Sequence, residues 1–160
     1  MVSTDALFSI GDAAEDAGNY DLARQLFERG ASLGDAVCLS RLAYMFDVGI
    51  GVEADKGRAM QLYKQAWRRD SRVAANNIAI LYREQGKHRL MFQWFERDAR
   101  TGNGEALLNL AKCYLSGTGV RKSVQSALRH LAAAANSDDI TEAGREEAEA
   151  LLCSMRPRGV

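Results

Sequence analysis

Between Asp5 and Gly18 the apolar residues Leu7, Ile10, Ala14 and Ala17 recur at three- and four-residue steps, the period of one face of an amphipathic helix. Gly18-Asn19 breaks the run, and Leu22, Ala23, Leu26, Phe27 and Ala31 restart it until Gly34. The paired scheme then returns. Leu39, Leu42, Ala43 and Phe46 precede Ala59, Leu62, Tyr63 and Ala66. Ala75, Ile78, Ala79 and Tyr82 precede Met91, Trp94, Phe95 and Ala99. Leu107, Leu110, Ala111 and Tyr114 precede Ala127, Leu128, Leu131 and Ala134. Each pair of runs predicts a helical hairpin. With Pro157 the only proline, nothing interrupts a helical backbone before the C-terminus, so an all-α fold follows.

The hairpins are copies of one unit. Leu42, Ile78 and Leu110 stand 36 and 32 residues apart, each followed by alanine and, four positions on, by Phe46, Tyr82 or Tyr114. Gly49-Ile50-Gly51-Val52 returns 68 residues later as Gly117-Thr118-Gly119-Val120, and Gly34-Asp35 returns at the same distance as Gly102-Asn103. Paired glycines between two helical runs mark a tight link, where a positive φ carries no Cβ penalty. Asp55, just before the second helix of its unit, is placed to cap free backbone amides. The third unit has only a Gln85-Gly86 turn. The expected organisation is a single repeat domain over residues 1–154, with units near 4–34, 35–70, 71–102 and 103–138. A Glu- and Ala-rich capping helix near 139–153 covers the apolar face that a last unit leaves open. Residues 155–160 are expected to form a flexible tail.

Residues Gly34-Asp35 through Ala43, Phe46, Gly49, Gly51-Val52 and Ala59, and again Gly102-Asn103 through Ala111, Tyr114, Gly117, Gly119-Val120 and Ala127, resemble the Sel-like repeat (SLR) family, a branch of the tetratricopeptide superfamily. Units one and three are shorter and look like plain tetratricopeptide hairpins. The resemblance implies a right-handed α-solenoid whose first helices line a concave groove for peptides or protein segments. Carried onto this chain, the groove positions are Ser40, Arg41, Tyr44, Asn76, Asn77, Asn109 and Lys112, with Arg41, Asn77 and Asn109 in equivalent places. Amides repeated at that step can hydrogen-bond an extended ligand, and Arg41 or Lys112 can hold a carboxylate. Unit one departs from the pattern, offering Ser9 and Asp12.

Composition changes this picture little. Formal net charge is zero, which supplies no field to gather nucleic acid, and Arg68, Arg69 and Arg72 form only a short basic cluster without interleaved aromatics. Neither a leader nor a spanning apolar run is evident, so the expected location is cytoplasmic, with no membrane insertion. Cys38, Cys113 and Cys153 have no C-x-x-C spacing, so no metal is expected; Cys38 and Cys113 fall on core positions. Gly49-x-Gly51-x-x-Ala54 formally fits a relaxed dinucleotide fingerprint, but helical periodicity precedes it where a strand is required. Arg121-Lys122-Ser123 lacks the glycine of a phosphate loop, so no cofactor is expected. His88 and His130 sit on repeat helices without a cysteine partner in any local signature, and Glu142, Glu146, Glu147 and Glu149 read as one solvated face. Trp94, whose register partners are Leu26, Leu62 and His130, is expected to pack between units three and four, with a half-buried ring at a binding surface as the alternative.

These observations favour a non-catalytic protein-binding scaffold, monomeric or weakly self-associating. Family resemblance extends this to adaptors, regulators and immunity proteins that block a toxin. The alternative it leaves is a hydrolase of cell-wall or antibiotic-like substrates, as some cysteine-rich relatives are credited with being.

Overall fold

A computed structural model describes residues 3–155, and the chain divides into two compact units, Met1–Ile78 and Ala79–Val160. Among the described residues all regular elements are helices: α1 Thr4–Asp16, α2 Tyr20–Ser32, α3 Ala36–Val48, α4 Lys56–Trp67, α5 Arg72–Glu84, α6 His88–Ala99, α7 Gly104–Ser116, α8 Val124–Ala135 and α9 Glu142–Met155. The division falls within α5.

In the first unit α1 packs on α2, α2 on α3 and α3 on α4. The seam is built from alternating large and small residues: Phe27 and Tyr63 are fully buried beside Ala23, Ala43, Ala59 and Ala66. Burying one such aromatic side chain is worth roughly 2–3 kcal/mol. The starts of α1 to α4 carry the residue type their backbone needs. Ser3, Asn19, Asp35 and Asp55 accept hydrogen bonds from the amides of Ala6, Leu22, Cys38 and Arg58. Three positions of the apolar runs depart from expectation: Ile10, Ala17 and Leu22 are exposed. Ala17 and Leu22 stand at the ends of their runs, where one helical step of drift turns a residue to solvent, while Ile10 lies mid-helix at the edge of the face that buries Leu7, Gly11 and Ala14.

In the second unit α6 packs on α7, α7 on α8, and α9 on α8 and α7. Leu108, Ala111, Leu131, Ala134 and Ala148 form its buried cluster, flanked by Leu107, Ile140, Leu151, Leu152 and Met155. The Arg145 guanidinium donates to the carbonyls of Ala135 and Ser137, satisfying the exposed end of α8. The glutamates Glu142, Glu146, Glu147 and Glu149 face solvent. Met155 closes α9 against the cluster, whereas the reading from sequence placed it in the tail; residues 156–160 lie outside the described residues.

The two glycine links have one geometry. Gly49 and Gly117 both end their helices in the left-handed region at φ 79°. Their amides, with those of Ile50 and Thr118, return to the carbonyls of Met45 and Cys113. The second glycine of each link, Gly51 at φ 64° and Gly119 at φ 75°, has a further reason. A Cβ on Gly51 would strike the side chain of Tyr20, the first residue of α2, and one on Gly119 would strike the carbonyl of His88, the first residue of α6. The links are therefore packing devices, each closing on the preceding hairpin of its own unit.

Candidate functional site

The face of the first unit formed by α3 and α5 carries a pocket of about 340 Å³ lined by Val37, Ser40, Arg41, Tyr44, Val73 and Asn77. Its walls are apolar side chains that folding leaves in water: Val37 is 50% exposed, Tyr44 40% and Val73 58%. These exposed side chains stand together on one face, where exposed apolar residues are ordinarily scattered singly. Val37 and Val73 are 36 residues apart, the same step as Leu42 and Ile78, so one position of the repeat supplies both walls.

Four of the seven positions carried over from the resemblance meet here, namely Ser40, Arg41, Tyr44 and Asn77. Asn76 is half-buried on α5 outside the lining, and Asn109 and Lys112 belong to α7 in the second unit. Ser40, Arg41 and Lys112 of this set are engaged within the protein. Ser40 is buried, donating to the Ala36 carbonyl at 2.9 Å and meeting the Ser71 hydroxyl at 2.7 Å, so its polar atom is spent on packing α3. Arg41 lies 2.9 Å from the Asp12 carboxylate and 3.0 Å from that of Glu15, both on α1, with its guanidinium 6.0 Å above the Phe27 ring. Lys112 lies 2.6 Å from the Glu147 carboxylate on α9. Both cations thus hold carboxylates of the protein itself. The departure of unit one from the pattern, Asp12, is what engages Arg41. The residues that sequence reasoning missed are Val37 and Val73; their signal was an apolar residue repeated at the 36-residue step but off the stripe of Leu39, Leu42 and Phe46.

Two of the three cysteines are buried, and Cys153 is exposed on α9. Burial, then the hydrogen bond and charge of Asp35, push the Cys38 thiol up to about 12, and burial raises Cys113 to about 11. Neither offers a thiolate near neutral pH. Cys38 fills the slot of Ala74 and Ala106, all three fully or almost fully buried. The His130 ring stacks on Tyr114 at 5.3 Å, and its Nδ1 meets the Ser126 carbonyl at 2.8 Å, while His88 is exposed at the start of α6. Trp94 is 7% exposed beneath the Arg97 guanidinium at 4.6 Å, so α6 uses it as a core residue, in line with the packing role and not with the half-buried alternative.

Residues 10–35, 36–71 and 104–139 match the Sel1 repeat, which is more than half of the chain. The chain belongs to the Sel1 repeat family. The matched windows include both glycine links and reach into unit one, read above as a plain hairpin; residues 72–103, with the short Gln85-Gly86 turn, lie between them. Among solved structures, a Sel1 repeat protein from Oxalobacter formigenes is 23% identical with a TM-score of 0.78, over 94% of this chain and 61% of that one. A protective antigen present in uropathogenic Escherichia coli strains, displaying an SLR fold, is 24% identical with a TM-score of 0.78, over 95% of this chain and 33% of that one. The Sel1 repeat chain therefore spans less than two thirds of either protein, and the likeness shows the fold, an all-α solenoid. No curated protein matches it. Among the described residues no helix is long and apolar enough to cross a membrane.

Proposed function

We propose that this Sel1 repeat protein is a non-catalytic scaffold that binds a partner protein through the α3–α5 face of its first unit. The observation that carries the reading is the pocket itself, with Val37, Tyr44 and Val73 exposed around the Asn77 amide. An apolar anchor from a partner would fill it, and Asn77 would donate to and accept from that partner's backbone. Support also comes from the family, whose repeats serve as protein-binding surfaces, and from the two cysteine thiols held protonated in the core. An adaptor, a regulator and a toxin-neutralising immunity protein all act through a surface of this kind, and a cognate toxin is the partner expected to bind most tightly, one to one.

Photocrosslinking tests the reading. A benzophenone amino acid at position 73 is expected to trap one protein partner in the source cell, while the same group at the exposed Gln61 of α4 traps none. Crosslinks from position 61 with none from position 73 would move the site off this face.

A further inference from the structure

The groove position of α3 recurs along the helix as Val37, Arg41, Tyr44 and Val48, at steps of four, three and four residues, which places them on one face. Thirty-two residues earlier, the matching strip of α1 is Asp5, Ser9, Asp12 and Asp16. The two strips lie side by side, because Arg41 reaches from α3 to Asp12 and Glu15 of α1. On α3 the strip is apolar on either side of Arg41, with Val48 49% exposed in addition to Val37 and Tyr44. On α1 it is acidic, and α1 contains no Lys or Arg.

The charge balance decides what this surface attracts. One guanidinium faces two carboxylates at Arg41, leaving that cluster one negative charge in excess, and the Asp12 side chain is still 44% exposed. Asp5 and Asp16, both exposed, extend the negative strip to either end of α1. Of this unit's other cations, Arg24 and Arg29 stand on α2, Lys56, Arg58 and Lys64 on α4, and Arg68, Arg69 and Arg72 at the junction of α4 and α5; Arg24 pairs with Asp21 and Glu28 of its own helix. Carboxylates without a neighbouring cation attract lysine and arginine, while an exposed valine and tyrosine strip gains by covering aliphatic side chains.

Resting on the proposed binding face, we infer that its ligand is a cationic amphipathic segment of a protein. Its aliphatic side chains seat between Val37, Tyr44 and Val73, and its Lys or Arg residues lie over Asp5, Asp12 and Asp16. This is the opposite polarity to a clamp for acidic peptide ends. The Arg41 charge is already neutralised by α1 and serves to join the two strips.

The test uses two synthetic helical peptides of alternating leucine and lysine faces, identical except that glutamate replaces lysine in the second, titrated into the full chain by calorimetry. The lysine peptide is expected to bind about tenfold or more tighter than the glutamate peptide, with an affinity that falls as salt is raised. Asp5→Asn with Asp16→Asn should weaken the lysine peptide by about fivefold or more, these being exposed charges whose loss leaves the fold intact. Val37→Asp with Val73→Asp separates seating from simple attraction. It adds negative charge, so attraction alone would tighten binding, whereas an apolar seat requires a loss of about tenfold or more. Equal binding of the two peptides, or no binding of the lysine peptide, overturns the inference about charge. Unchanged or tighter binding by the Val37→Asp, Val73→Asp variant instead overturns the binding face on which it rests.

Discussion

Cys38 shows how one residue reports on the packing of a repeat. It sits where α5 has Ala74 and α7 has Ala106, and its thiol is held from the ordinary value near 9 up to about 12 by burial and by Asp35. The folded state therefore binds the proton more tightly than the unfolded chain. That contribution to stability is complete below about pH 9 and is lost as pH rises through about pH 12. Cys38→Ala removes the linkage while keeping a side chain that the slot accepts. Between pH 9 and 12 the wild type is expected to lose stability more steeply than the variant in urea titrations, with matching slopes below pH 8. Parallel loss in both proteins would mean that the thiol is not held protonated by the fold. At the same scale, the polar residues of the resemblance were legible by position, whereas their partners were not. Arg41 and Lys112 were identified from their register, but their partners Asp12, Glu15 and Glu147 come from other helices, and long-range ion pairs leave no periodic trace in a sequence.

At the scale of elements the glycine links were the most legible feature, because their chemistry is local. A helix end in the left-handed region and a cap from Asp55 or Ser123 are both written within a few residues. The close approach of Gly51 to Tyr20 was not legible, since it depends on how one hairpin lies on the next. Two substitutions separate the two requirements. Gly18 has a positive φ of 74° and nothing near its missing Cβ, so Gly18→Ala should cost only the backbone term, about 1 kcal/mol. Gly51→Ala carries the same backbone term and must also displace Tyr20, so a loss of about 2–3 kcal/mol is expected from thermal or urea unfolding. Equal costs would show that the link does not press on α2. The edges of the apolar faces were the least legible part, as exposed Ile10 and Leu22 show. A period assigns a face but not how far a neighbour wraps around it.

For the molecule as a whole, a formal net charge of zero conceals a local arrangement: an acidic strip on α1 beside an apolar strip on α3. Composition averages such features away, and only the register of the repeat, laid on the helices that Arg41 ties together, brings them into view. The walls of the candidate site, Val37 and Val73, had no signal of their own beyond a shared step, because an exposed valine and a core valine read alike along a chain. The central claim is that this face binds a protein partner. The most direct measurement is the affinity of the partner trapped at position 73 for the wild type and for the Val37→Asp, Val73→Asp variant, with folding of each checked by circular dichroism. A loss of about 100-fold or more is expected for two anchor contacts replaced by carboxylates. A variant that binds as tightly as the wild type would contradict the account.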